Sequence, residues 1–348
     1  MKRIDLRSDT ITKPTPAMLE AMMKADVGDD VLGDDPTVIR FQKKVAERFG
    51  KEAGLFVPSG TMSNQIAIRT HTQPGQEIIC DIGAHIYNFE GGGPALLSGV
   101  QIRPLNGYNG IMDPKRVEEN LRFGDNVHHA PTSLIEVENT HNRGGGIIIP
   151  IENIQDIRKI ADKYHIPMHL DGARIWNAHV ATDIPFHEYA RYFESVSVCF
   201  SKGLGAPVGS MLLGSAEFIH QAKRWRKVFG GGMRQSGYLA AAAEYAFENH
   251  IERLIEDHAR AAYFAGKLAQ MRGLAVNLET VQTNIVMIDV IQCPAVELQK
   301  KLMKHGLDIL PVSPTRLRAV FHLHIDDEMT ERAIRIFEKV LHSDTSAN

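Results

Sequence analysis

The chain has little of what several specialised protein classes require. Its 348 residues include three cysteines, Cys80, Cys199 and Cys293, far apart and odd in number. None forms a CxxC pair, so neither a disulfide framework nor a zinc site is expected, and no metal is predicted. Cys199 falls inside an apolar run and reads as a small core residue. No apolar run approaches the length needed to span a bilayer. The opening "MKRIDLRSDTITKP" lacks the apolar stretch of a signal peptide, so a cytoplasmic location is expected. Net charge is only −3, with no lysine or arginine block. Nucleic acid and anionic membrane are therefore excluded as main partners. There is no internal repeat and no low-complexity linker.

What is present is an ordinary globular composition, 43% hydrophobic and 23% charged, in a chain long enough to bury a core and a cofactor. Short apolar strands, "AGLFVP", "EIIC", "VQIRPL", "TSLIEVEN", "IPMHLD", "SVSVCFS" and "GSMLLG", alternate with amphipathic helices. One such helix, "IENIQDIRKIADKYH", carries its apolar stripe on Ile151, Ile154, Ile157, Ile160 and Ala161. This alternation predicts an α/β fold, a mostly parallel sheet flanked by helices. After about Arg234 the texture changes to a long alanine-rich helical region, then a smaller α+β unit with strands in "TNIVMIDV", "GLDILPV" and "LRAVFHL". The prediction is a large α/β domain over 1–250 and a small C-terminal domain over 251–348, joined by a long helix.

Ligands of open α/β sheets collect beyond the carboxyl ends of the strands, so the residues that follow each strand matter most. Ser59, Gly60 and Thr61 follow "LFVP" and open a helix. Such a turn offers free N–H groups to a phosphate, and equally serves as an ordinary helix cap. Asp171 ends "IPMHL"; it can cap the next helix, pair with Arg174, or hold a cationic ligand nitrogen. Lys202 ends "SVSVCFS", either as a solvated cap or as a partly desolvated amine able to form a Schiff base. Phosphate cradle, carboxylate and lysine at the ends of one sheet together match what pyridoxal 5'-phosphate requires. His85 and Tyr87, in "DIGAHIYNFEGGG", are available to stack on its ring.

Seven segments, "DLRSDTITKPT", "VGDDVLGDDPT", "PSGTMSNQ", "IEVENTHNRGGG", "HLDGARIWNA", "SKGLGAPVGS" and "GGGMRQSG", resemble in order the signature segments of the threonine aldolases. That family belongs to the aspartate-aminotransferase-like, fold-type-I group of pyridoxal phosphate enzymes. The resemblance implies that Lys202 carries the cofactor, Asp171 pairs its pyridine nitrogen, Ser59, Gly60 and Thr61 bind its phosphate, and His85 stacks on its ring. It assigns the substrate carboxylate to Ser8, Arg174 and Arg316, with Arg174 also near the cofactor's phenolic oxygen. Arg316 is preferred to Arg318 on the family pattern alone. His128 matches a histidine near the substrate hydroxyl, although a second histidine, His129, follows where relatives often carry an aromatic residue. Lys227 and Arg234 match residues that approach the site from a neighbouring subunit, which implies an oligomer, a homotetramer. Leu32 stands where relatives commonly carry tyrosine, and His141 and His324 read as structural.

The implied reaction is retro-aldol cleavage of L-threonine or L-allo-threonine to glycine and acetaldehyde, by an aldehyde-lyase acting on a small amino acid. Three rivals remain at this level: a β-eliminating or serine-cleaving lyase of the same fold, an aminotransferase, and a non-catalytic scaffold.

Overall fold

A computed structural model describes residues 3–345. Among them are thirteen strands: β1 (Ile4–Asp5), β2 (Ala53–Val57), β3 (Glu77–Asp81), β4 (Gln101–Leu105), β5 (Thr132–Glu138), β6 (Met168–Gly172), β7 (Ser195–Cys199), β8 (Ser210–Gly214), β9 (Leu274–Ala275), β10 (Ile285–Val290), β11 (Leu307–Asp308), β12 (Leu310–Ser313) and β13 (Arg316–Val320). Seven form one sheet in the order β2-β8-β7-β6-β5-β3-β4. Neighbours pair in parallel except where β8 meets β2 and β7, so β8 alone runs against the rest. Every residue of β3, β6, β7 and β8 is buried, as expected of strands covered on both faces. All seven apolar runs read from the sequence are strands of this sheet.

The covering helices start where the sequence supplies caps. Asp35 accepts from the Val38 N–H, Pro36 occupies the first turn, and Val38, Phe41 and Val45 bury one face. The helix Ile151–Tyr164 buries Ile154, Ile157 and Ala161, the stripe read from its period. No helix of the described residues is long and apolar enough to cross a membrane.

Two features differ from the sequence reading. The long helical region is two helices, Gly237–Asn249 and Leu254–Leu268. At the break the His250 ring turns inward and its Nδ1 bonds the Leu204 carbonyl at 2.8 Å. The break is thereby tied to the turn after Lys202. The predicted strand "GLDILPV" is also divided. Its first part, β11, pairs in parallel with β1, while β12 pairs with β13 in the sheet β12-β13-β10-β9. Ile4 and Leu6 therefore pack in the C-terminal core with Phe264, Val286, Leu298 and Phe337. The N-terminal segment starts in the small unit and then runs over the large one, which brings Ser8 and Asp9 between them.

Candidate active site

The strand ends named above converge at one edge of the large sheet. After β2, the Ser59 hydroxyl caps the helix Gly60–His71 by accepting from the Met62 N–H at 3.1 Å. Ser59 and Thr61 are exposed. A Cβ at Gly60 would stand 2.6 Å from Cys199 Sγ, so only glycine lets this helix start so close to the end of β7. The result is an accessible helix N-terminus, the arrangement that favours a phosphate.

Asp171 lies in register with Glu138 on β5 and Ser197 on β7, at the carboxyl end of the sheet. It is 2% exposed, and its oxygens accept from Asn64 Nδ2 at 2.8 Å and the Ala173 N–H at 3.1 Å. It does not pair with Arg174. Lys202 follows β7, and its carbonyl is held from two sides, by Thr12 Oγ1 at 3.0 Å and the Gly205 N–H at 2.9 Å. Gly205 has φ +84°, and a Cβ there would stand 2.8 Å from Leu323. The turn can therefore be closed only by glycine.

His85 is fixed at both ends. Its N–H donates to Glu138 Oε2 at 2.7 Å, and its Nδ1 bonds Glu90 Oε1 at 2.9 Å. Glu90 is buried and also accepts from Asn64 at 2.9 Å and Gln65 at 2.5 Å. Burial disfavours a charged His85. The Glu90 hydrogen bond and the charges of Asp171, Glu138 and Glu90 outweigh it, and the imidazole is held above its ordinary range.

The opposite wall is cationic. The Arg174 fork closes on Asp9, Nε to Oδ2 at 2.8 Å and Nη2 to Oδ1 at 2.7 Å, both side chains buried. Ser8 stands next to it and caps the turn Asp9–Ile11, accepting from the Thr10 N–H. Arg318, on β13, reaches the same region: Nη1 donates to Asn142 Oδ1 at 2.7 Å and Nη2 to the Arg7 carbonyl at 3.2 Å. Its Nε is buried without a hydrogen-bond partner among the described residues. Burial first, then the charges of Arg174 and Arg143, push Arg318 down to about 10 against the pull of Asp9. Arg316 faces outward at the start of the same strand, with its fork occupied by Asp289 at 2.6 and 2.9 Å.

Other predicted residues lie apart. His128 and His129 are on an exposed loop, where the His128 N–H donates to Asn126 Oδ1. Lys227 is exposed and lines, with Leu32, an outer cavity of about 650 Å³. Arg234 is exposed and pairs with Asp29 at 2.9 Å. His141 Nδ1 accepts from the Gly144 N–H, and His324 Nε2 meets the backbone of Lys13. Asn64, Glu90 and Asp9 are site residues that sequence reasoning did not single out. Asn64 and Asp9 lie within the quoted segments "PSGTMSNQ" and "LRSDT", but their partners are far away in the chain.

A cofactor with a phosphate, a protonatable ring nitrogen and an aldehyde fits this donor set. The glycine-opened helix N-terminus suits the first, the buried carboxylate of Asp171 the second, and the Lys202 amine the third. Residues 5–291 match the family model described as beta-eliminating lyase. Low-specificity L-threonine aldolase from Escherichia coli O157:H7 is 43% identical over 93% of this chain and 95% of its own. Low-specificity L-threonine aldolase 1 from Arabidopsis thaliana is 41% identical over 98% of this chain and 97% of its own. Among solved structures, Leishmania major threonine aldolase superposes with a TM-score of 0.83 at 18% identity, covering 97% of this chain and 99% of that one. Sphingomonas wittichii serine palmitoyltransferase gives 0.75 at 18%, covering 99% and 87%. The two superpositions establish the fold.

Proposed function

The chain belongs to the threonine aldolases of the beta-eliminating lyase family, and on that premise we propose how its residues serve the reaction. It is a pyridoxal phosphate-dependent carbon–carbon lyase that cleaves L-threonine, L-allo-threonine and related β-hydroxy-α-amino acids to glycine and an aldehyde. What supports this reading is that the strand ends preceding Gly60, Asp171 and Lys202 lie at one edge of the sheet, and that Arg318 is buried with no hydrogen-bond partner for its Nε among the described residues.

When bound, pyridoxal phosphate supplies the electron sink that makes cleavage of the Cα–Cβ bond feasible. Lys202 is its attachment point, and Ser59, Gly60 and Thr61 receive its phosphate. Asp171 would accept a hydrogen bond from its protonated ring nitrogen, and His85, held by Glu90, would cover its ring. Arg174 and Ser8 take the substrate carboxylate. Arg318 is the third carboxylate ligand in place of Arg316, because a buried orphan donor is relieved by an anion whereas the Arg316 fork already holds Asp289. The exposed loop that carries His128 and His129 stands apart from these residues, so it would have to approach the substrate for either histidine to take the β-hydroxyl proton, directly or through water. Restraint of the carboxylate sets which bond at Cα stands across the ring, and so which bond breaks.

Lys227, which lines the Leu32 cavity, and Arg234, exposed and paired with Asp29, are read as contributions to a neighbouring subunit's site in a homotetramer in the cytoplasm. The family description also covers β-elimination, which would release a 2-oxo acid and ammonia; relatives 41–43% identical over nearly the full chain favour the aldolase. Borohydride reduction of the holoenzyme tests the attachment point. Wild type is labelled irreversibly at Lys202, and Lys202→Ala loses both label and turnover; retained turnover would sink the assignment.

A further inference from the structure

Asp171 is the last acceptor of a directed chain that runs beneath the site. Asn64 Nδ2 donates to Asp171 Oδ2 at 2.8 Å and to Glu90 Oε1 at 2.9 Å. Both amide protons are thereby spent on carboxylates. The flipped amide would set its oxygen against two anions, so Oδ1 must point the other way. There it meets His169 Nε2 at 3.1 Å. An acceptor at that position requires the Nε2 proton on His169. His169 Nδ1 is then a lone pair, and the Ser195 hydroxyl, 2.8 Å away, must donate to it. Ser195 Oγ in turn receives its own bond from His71 Nε2 at 2.8 Å. Each proton position follows from the one before, once both Asn64 amide protons point at carboxyl oxygens.

The surroundings agree. His169 is fully buried on β6, two residues before Asp171. Burial holds His169 down to about 4, against the pull of Asp171 and of the Ser195 backbone, and burial above all holds His71 down to about 3. Both rings are neutral at working pH, as the chain requires.

We propose that Asn64 and His169 are positioning residues: the His169 Nε2–H locks the Asn64 amide so that Asp171 stays an ionised acceptor for the ring nitrogen of the cofactor. This rests on the assignment of Asp171 to that nitrogen. The donor counts rather than the ring, so a side chain that keeps N–H at the Nε2 position should suffice. Glutamine can do this; phenylalanine keeps the ring shape and removes the donor.

The test combines three measurements. In the apo protein, ¹⁵N-detected histidine NMR should find His169 neutral with its proton on Nε2; a proton on Nδ1, or on both nitrogens, overturns the chain. Apo protein titrated with pyridoxal phosphate should show His169→Phe binding at least tenfold more weakly. The pH at which its bound cofactor changes visible band should rise by about one unit. His169→Gln should stay within about threefold of wild type in affinity, with an unmoved band. If both variants behave alike, packing alone is at work and the proposal fails. Asp171→Asn separates the two levels. If it loses affinity and shifts the band while His169→Phe does not, the chain is wrong and the Asp171 assignment stands. If Asp171→Asn changes neither, the assignment itself falls and the chain's role with it. The tautomer measurement on wild type decides even if a variant does not fold.

Discussion

Asp9 and Arg174 form a two-pronged, buried ion pair that joins the N-terminal segment to the loop after β6. The guanidinium therefore arrives at the site already oriented, with one edge held by Asp9. Burial raises the cost of an ionised Asp9. Arg174, Lys202 and Arg318 overcome it and keep the carboxyl below its usual range. Removing one partner of such a pair leaves a buried charge, at a cost of about 3–5 kcal/mol. Asp9→Asn is expected to lower the melting temperature and raise KM for threonine. Because the native carboxyl is depressed, its contribution is present above the unfolded value of 3.8 and is lost as pH falls. The wild-type stability curve should bend downward below about pH 4, and that bend should shrink in Asp9→Asn.

Arg316 and Arg318 occupy the same face of β13 but meet different surroundings. One is paired with Asp289 at the edge; the other is buried with an idle Nε. A charge-assisted hydrogen bond to a buried carboxylate contributes about 1.5–3 kcal/mol. Arg318→Gln should therefore reduce kcat/KM for threonine by roughly 10- to 150-fold, mainly through KM. Arg316→Gln should change it by less than about twofold. Equal effects of the two substitutions would remove the basis for the distinction.

Glu136, in the middle of β5, is fully buried, and neither carboxyl oxygen has a hydrogen-bond partner among the described residues. Burial, then the charges of Asp171, Glu138, Glu90 and Asp81, push it well above the ordinary carboxyl range, so it is held as the neutral acid. The sign is opposite to that of Asp9. Its contribution is complete below the unfolded value and lost as pH rises through the native one. Wild type should lose stability as pH rises above the unfolded value of 4.5, while Glu136→Gln should be flatter there. At alkaline pH the variant should be the more stable, measured by chemical denaturation.

The large sheet was legible because its strands are buried on both faces and so appear as continuous apolar runs. Lys202, Asp171 and Gly60, the residues proposed to hold the cofactor, could be picked out because each sits just past one of those runs. The inward turn at His250 was not, because its cause is the Leu204 carbonyl, 46 residues away in the chain. The different surroundings of Arg316 and Arg318 were not legible for a related reason. Residues two apart on a strand share a face, and only the packing of Asn142 and Arg7 around Arg318, with Asp289 beside Arg316, distinguishes them. Asp9, Asn64 and Glu90 carry no local signal, since each acquires its role from a partner on another element. The pairing of β1 with β11, which carries Asp9 to the site, joins residues more than 300 positions apart.

The products formed from L-threonine and L-allo-threonine by the pyridoxal phosphate-loaded enzyme test the proposed cleavage most directly. Glycine and acetaldehyde should appear in equal amounts from each substrate that is consumed, with no 2-oxo acid required and no ammonia released. Release of ammonia with a 2-oxo acid, or consumption of neither substrate by the loaded enzyme, would contradict it.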